Sequence, residues 1–99
     1  FKKIYVTENG AAFPDTIHEG KIYDVKRKNY LQSNIAEILK AKNEGVNVQG
    51  YFVWSLTDNF EWAEGYRPRF GLVHVNYETQ KRTIKESGHW YSDFLKHRV

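Results

Sequence analysis

Residues 48–56, VQGYFVWSL, form a nearly continuous run of apolar and aromatic side chains. A run of this kind, without alternation of apolar and polar residues, is typical of a strand buried on both faces in a parallel sheet. An earlier segment, Lys3–Thr7, contains three β-prone residues and is followed by the turn-forming pair Asn9–Gly10. The sequence therefore predicts two strands, of which the second is a central strand.

A helix is predicted between the two strands, with Asp24 as its N-cap and its end near Asn43. Apolar residues recur on one helical face at Leu31, Ile35, Ile38 and Leu39. Gly45 supplies the glycine that commonly follows a helix. Strand, helix and buried strand together predict a parallel βαβ unit with a right-handed crossover.

The rest of the chain predicts a hairpin and a second helix. Leu72–Tyr77 alternates as an exposed hairpin strand does, with a turn at residues 78–80, and a helix is expected from Lys85 to His97 with an apolar stripe at Trp90, Tyr91, Phe94 and Leu95. Two parallel strands alone leave both outer edges unpaired. Because the chain also contains no methionine, we expect it to be part of a longer protein.

Composition excludes several classes of function. The chain has 99 residues, 40% hydrophobic and 27% charged, with a net charge of +3, no cysteine and no apolar run long enough to span a bilayer. Its basic clusters, such as Lys26–Lys28, are interpreted as solvated surface. The histidines, which lack the spacing of metal ligands, are interpreted as surface or hairpin residues at positions 18, 74, 89 and 97. We expect no metal, cofactor, nucleic-acid or membrane partner, and a cytoplasmic location.

Polar and aromatic residues follow both predicted parallel strands. Glu8 ends the first strand, and Trp54, Asp58, Glu61 and Trp62 end or follow the second. In α/β sheets, ligands bind beyond the carboxyl ends of the strands. Aromatic rings cover the C–H faces of a sugar while carboxylates bind its hydroxyls, so this composition favours a carbohydrate site.

Three motifs resemble glycoside hydrolase family 1, the β-glucosidase family. YVTENG at residues 5–10 resembles the nucleophile motif of that family, and YFVWSLTDNFEWAEGYRPRFGLVHVNY at residues 51–77 resembles the sugar-binding loop after its eighth strand. TIKESGHWYSDF at residues 83–94 matches the family's C-terminal end. The resemblance covers essentially the whole chain.

The resemblance implies a fold and a set of site residues. The family fold is an α/β (β/α)8 TIM barrel, and residues 1–99 would be the C-terminal portion of its single catalytic domain, comprising βα units 7 and 8 without strands 1 to 6. A β-hairpin would lie between strand 8 and the last helix. Glu8 would be the catalytic nucleophile. The substrate-binding residues would be Trp54 as the platform under the sugar, Glu61 and Trp62 as partners of its hydroxyls, and Phe70 as an aromatic wall.

The same resemblance limits the chemistry. The family's acid/base lies in an Asn-Glu-Pro motif that this sequence lacks, and Asn43-Glu44-Gly45 is interpreted as a helix end. We therefore expect the chain alone to be inactive. The branch of the family that acts on 6-phosphorylated sugars has other residues where this chain has Glu61, Pro68 and Phe70, which favours terminal unphosphorylated β-D-glycosides, with gluco and galacto epimers both possible.

Two alternatives remain open. The chain could be a non-catalytic carbohydrate-binding module, a reading opposed by the intact Glu8 motif and sugar-binding loop. It could also be a self-assembling barrel fragment, because exposed strand edges invite pairing with further copies. If the chain is instead part of a β-glycosidase, its partners would be a small β-glycoside and the missing N-terminal part of the barrel.

Overall fold

The computed structural model describes residues 2–60, 65 and 68–97. The predicted order of elements, β-α-β followed by a hairpin and a helix, is confirmed. In chain order the elements are β1 (Ile4–Asn9), α1 (Val25–Asn43), β2 (Val48–Val53), β3 (Val73–Val75), β4 (Arg82–Ile84) and α2 (Glu86–Lys96).

The strands β1 and β2 pair in parallel, with Ile4 opposite Val48 and Asn9 opposite Val53. The prediction that the second strand reaches Leu56 was wrong, because β2 ends at Val53. Beyond it the Trp54 N–H still donates to the Asn9 carbonyl of β1 at 3.0 Å, and the chain then pairs with the segment before β3, where the Leu72 N–H donates to the Ser55 carbonyl at 3.0 Å. The carboxyl ends of β1 and β2 therefore lie side by side.

Burial of β2 differs from the prediction. Val48 is buried, but Phe52 is 57% exposed, so the strand is not covered on both faces. Within residues 2–60, 65 and 68–97, β1 and β2 form a two-stranded sheet and no third strand pairs with either outer edge. A sheet face is buried only when another layer packs on it, so the side of β2 that carries Phe52 lacks such a layer in the described part of the chain.

The helix α1 begins after Asp24, as predicted, but Asp24 does not cap it through its side chain. Its carboxylate instead accepts hydrogen bonds from the Ser87 N–H at 2.8 Å and the Ser87 hydroxyl at 2.5 Å, at the start of α2. Leu31 and Ile35 on the predicted apolar face are buried. The helix ends at Asn43, and Gly45 has a φ of +104°, a conformation that favours glycine.

The strands β3 and β4 form the predicted hairpin, with Val73 opposite Ile84 and Val75 opposite Arg82. The prediction that its first strand is exposed was wrong, because Leu72 and Val75 are buried. The Asn76 side chain holds its turn by accepting from two backbone N–H groups. On α2, the rings of Trp90 and Phe94 are stacked with centroids 5.3 Å apart. No helix in the part of the chain that the structure describes is long and apolar enough to cross a bilayer.

Candidate active site

Glu8 lies at the carboxyl end of β1, with an exposed side chain. The next residue, Asn9, is held by two side-chain hydrogen bonds. The amide oxygen of Asn9 accepts a hydrogen bond from the Tyr51 hydroxyl at 2.7 Å, and its amide nitrogen donates to the Tyr30 hydroxyl at 3.4 Å. These bonds join β1 to β2 and to α1 beside Glu8, so the backbone that presents the carboxylate has little freedom.

The pKa of Tyr51 is raised to about 12, mainly by burial and further by the neighbouring phenols of Tyr91 and Tyr30. The phenol therefore stays protonated at neutral pH and is able to donate to Asn9. With its oxygen facing the Tyr51 hydroxyl, the Asn9 amide turns its nitrogen to the Tyr30 hydroxyl.

Trp54 is connected directly to the end of β1. Its backbone N–H donates to the Asn9 carbonyl at 3.0 Å. Gly10 packs so closely that a Cβ there would lie 1.9 Å from the Trp54 carbonyl oxygen. The Trp54–Ser55 peptide bond is cis. Trp54 is 37% exposed, so part of its surface is open to a ligand.

Phe70 is joined to the same region through the backbone. The Ser55 N–H donates to the Phe70 carbonyl at 3.3 Å, one residue after Trp54. The structure thus links Glu8, Trp54 and Phe70 through neighbouring main-chain positions. The other two predicted substrate-binding residues, Glu61 and Trp62, lie outside the described residues.

A buried carboxylate, Asp58, follows β2 at the start of the predicted sugar-binding loop. It pairs with Arg69 at 2.6 Å and with Lys85 at 2.8 Å. Burial acts to raise the pKa of Asp58, but the hydrogen bonds and positive charges of Lys85 and Arg69 outweigh burial and hold it below its usual range. Asp58 is therefore ionised at neutral pH.

Further buried ion pairs connect Lys85 to α1. Lys85 also contacts Asp15 at 2.6 Å, and Arg27 pairs with Asp15 at 2.9 Å and Asp24 at 2.5 Å. Arg27 is only 1% exposed, so the interpretation of the basic cluster at residues 26–28 as solvated surface was wrong for this residue. Its two carboxylate partners stabilise the cation in the interior, where an unpaired charge would be costly.

His74, predicted as a surface or hairpin residue, lies in β3 of the hairpin but is buried. Burial, assisted by the nearby Arg69 cation, lowers the pKa of its imidazole. Among the residues that the structure describes, no group of three or more histidine, cysteine, aspartate or glutamate side chains is arranged to hold a metal ion.

Comparisons with known proteins place these features in a family. The family model described as glycosyl hydrolase family 1 matches residues 1–99. The β-glucosidase A of Thermotoga maritima is 57% identical over 95 residues, which are 95% of this chain and 21% of the relative. The 6-phospho-β-galactosidase of Clostridium acetobutylicum is 52% identical over 91 residues, which are 92% of this chain and 19% of the relative.

Solved structures give the same result. The family 1 β-glucosidase from Thermotoga maritima in complex with isofagomine lactam superposes with a TM-score of 0.93 at 57% identity, covering 95% of this chain and 22% of that structure. Its complex with castanospermine matches equally well, again with a TM-score of 0.93 at 57% identity over 95% of this chain and 22% of that structure. This chain spans about a fifth of the length of these relatives. The described α/β unit therefore matches part of the TIM barrel of glycosyl hydrolase family 1, and the chain belongs to that family.

Proposed function

We propose that residues 1–99 are the C-terminal part of a retaining β-glycosidase, comprising βα units 7 and 8 of its barrel. The parallel pairing of β1 with β2 and the matched share of about a fifth of the relatives support two neighbouring βα units. Their position at the C-terminal end of the barrel is taken from the motif resemblance. Strands 1 to 6 would belong to a longer protein that carries this chain, the parent protein. They would cover side chains that are exposed in the described chain, such as Phe52 and Leu56, which is 71% exposed.

The observation that carries the proposal is the placement of Glu8 beside Trp54 through the Asn9 carbonyl. In a retaining mechanism the Glu8 carboxylate attacks the anomeric carbon, and the glycosidic C–O bond breaks as a glycosyl ester forms. A second carboxyl group, roughly 5–5.5 Å away, protonates the leaving oxygen. It then takes a proton from the water that hydrolyses the ester, which restores Glu8.

This chain would supply the nucleophile and part of one sugar subsite. The exposed surface of Trp54 suits the apolar face of a pyranose. Phe70, whose carbonyl accepts from the Ser55 N–H, would line the same pocket. Glu61 and Trp62 would bind hydroxyl groups of the sugar. The acid/base would come from the rest of the parent protein, so the isolated chain would be inactive.

We further propose that the substrate is a terminal unphosphorylated β-D-glycoside. The relatives include both β-glucosidases and 6-phospho-β-galactosidases, so similarity alone does not choose between the two. Glu61 supports the choice, because its carboxylate would repel a sugar phosphate. Pro68 supports it too, because it offers neither a positive charge nor a donor for that phosphate.

The test is hydrolysis of a nitrophenyl β-glucoside by the parent protein and by its Glu8→Gln variant. Glu37→Gln, a matched change at an exposed position on α1, is the control. We expect Glu8→Gln to lower kcat by roughly 10⁴-fold or more, since nucleophile removal is among the most damaging changes to an enzyme, and the control to retain activity. Full activity of Glu8→Gln would contradict the proposal.

The isolated chain provides a second test. Mixed with the remaining part of the parent protein, it should form a complex that hydrolyses the nitrophenyl β-glucoside once the two parts have folded together. Saturable glucose binding by the parent protein, without any hydrolysis, would instead support a non-catalytic carbohydrate-binding function. Sedimentation of the isolated chain as a stable assembly of copies would support the self-assembling alternative.

A further inference from the structure

The guanidinium group of Arg27 lies in the interior, beside the segment that follows Glu8. Arg27 belongs to the first turn of α1 and is only 1% exposed. Its Nε donates to the Ala11 carbonyl at 3.4 Å, and its Nη2 donates to the Phe13 carbonyl at 3.5 Å. The guanidinium carbon also lies 5.5 Å from the centre of the Phe13 ring, within the range of a cation–π contact. Arg27 therefore holds the main chain shortly after the predicted nucleophile.

The same guanidinium group reaches the residue before Phe70. Its Nη2 donates to the Arg69 carbonyl at 2.7 Å, which is shorter than its bonds to the other two carbonyls. The Arg69 carbonyl also accepts from the Phe13 N–H at 3.2 Å. Arg27 thus joins the segment after β1 to the segment that carries Phe70.

Two buried carboxylates fix the direction of the guanidinium group. Its Nη1 donates to Asp24 at 2.5 Å and to Asp15 at 3.0 Å, and its Nη2 contacts the second oxygen of Asp15 at 2.9 Å. The donors of an arginine form a rigid, planar fork, whereas those of a lysine share one nitrogen. The simultaneous contacts with carboxylates and main-chain carbonyls therefore depend on an arginine, and positive charge alone does not provide them.

We infer that Arg27 is a positioning residue that sets the place of Phe70 beside Glu8. This inference rests on the proposed function, in which Phe70 lines the sugar pocket. Because Arg27 is buried, it would act on the substrate only through the main chain that it holds. The Phe70 carbonyl accepts from the Ser55 N–H at 3.3 Å, so a shift of this segment would also reach the chain next to Trp54.

The experiment replaces Arg27 by lysine in the parent protein. Arg27→Lys keeps a positive charge between the two carboxylates but loses the fork that donates to the Ala11 and Arg69 carbonyls. A misplacement of about 1 Å can lower a rate about 10²-fold, and the retained charge should limit the shift, so we expect kcat/KM for a nitrophenyl β-glucoside to fall about tenfold. Ile35→Val, on the buried face of α1, is the control, because it weakens the packing of the same helix and should leave kcat/KM unchanged.

A double-mutant cycle distinguishes positioning from a general loss of structure. Phe70→Leu removes the ring and should itself lower kcat/KM. If Arg27 acts through Phe70, Arg27→Lys should lower kcat/KM less than about twofold in the Phe70→Leu background, since the two effects are then not additive. Phe13→Leu removes the ring beside the guanidinium group and should cause a smaller fall that also disappears in that background. It decides the test if Arg27→Lys fails to fold.

The possible failures are distinguishable. A folded Arg27→Lys variant with full kcat/KM overturns the inference, as does a loss by the same factor with and without the Phe70 ring. Full activity of Phe70→Leu overturns it too, and so does full activity of Phe13→Leu where that variant decides. In these cases hydrolysis by the unmodified parent protein leaves the proposed function standing. If the unmodified parent does not hydrolyse the glucoside, or if Glu8→Gln retains full activity, the proposed function and the inference both fall.

Discussion

Replacing Gly10 by alanine tests the link between the nucleophile strand and the sugar platform. The added methyl group would lie 1.9 Å from the Trp54 carbonyl oxygen, whereas ordinary van der Waals contact begins at 3.4 Å. The obstructing atom belongs to the backbone, so no side-chain rotation can relieve the clash. The ends of β1 and β2 must therefore move apart by more than about 1 Å, a misplacement of a size that can lower a rate by about 10²-fold.

The assay is kcat/KM of the parent protein on a nitrophenyl β-glucoside, paired with urea unfolding. Overpacking at Gly10 should also lower the free energy of unfolding by about 1–3 kcal/mol. Gly45→Ala is the matched control, because a Cβ there meets no atom within 4 Å while its φ of +104° makes alanine strained. We expect this control to lose about 1–2 kcal/mol of stability with unchanged kcat.

The two glycine variants distinguish an effect on the position of the catalytic groups from an effect on the stability of the protein. If Gly10→Ala lowers kcat/KM about 10²-fold and Gly45→Ala does not, the contact between Gly10 and Trp54 positions the site. A folded Gly10→Ala variant with unchanged kcat/KM would refute this reasoning, because the clash must then be absorbed without moving the catalytic groups.

Further predictions concern buried polar groups in the parent protein. Lys85→Met should cost about 3 kcal/mol in urea unfolding, because it removes one of two cations from each of the buried carboxylates of Asp15 and Asp58. Lys28→Met, in a partly exposed ion pair, should cost at most about 1 kcal/mol, and equal costs for the two variants would contradict the burial of Lys85. Tyr51→Phe removes the hydroxyl that donates to Asn9 and should cost about 0.5–1.5 kcal/mol with a lower kcat; wild-type stability and kcat would show the bond to be unimportant. Because burial lowers the pKa of His74, its stabilising contribution is present above the ordinary value of 6.5 and is lost as pH falls towards the folded-state pKa. His74→Gln should therefore lose less stability than the unmodified protein as pH falls below 6.5, and identical pH profiles would contradict this.

The helices and strands were predictable because their signals are local. The spacing of Leu31 and Ile35 marks the buried face of α1, and Gly45 marks its end. The end of β2 was harder to predict from the sequence. It falls at Val53 because the next residues pair differently, with Ser55 bonded to Leu72, which is distant in sequence. Periodicity carries no information about such a pairing.

The burial of charged residues could not be predicted from the sequence. Lys85 and Asp15 are 70 positions apart, and each is stable in the interior only because the fold brings them together. Arg27 lies between two other basic residues, a pattern that indicates solvated surface, although its carboxylate partners hold it in the interior. The roles of Glu8 and Trp54 remain predictions from short, contiguous motifs, and the structure adds that the main chain joins the two positions through the Asn9 carbonyl.

Covalent trapping tests the central proposal, that Glu8 is a glycosidase nucleophile, most directly. A 2-deoxy-2-fluoro-β-glucoside with a good leaving group should form a glycosyl ester on the parent protein that hydrolyses slowly enough for peptide mapping by mass spectrometry. We expect one sugar per chain, attached to the peptide that contains Glu8, and no label on the Glu8→Gln variant. A stoichiometric label on another carboxylate, with none on Glu8, would contradict it.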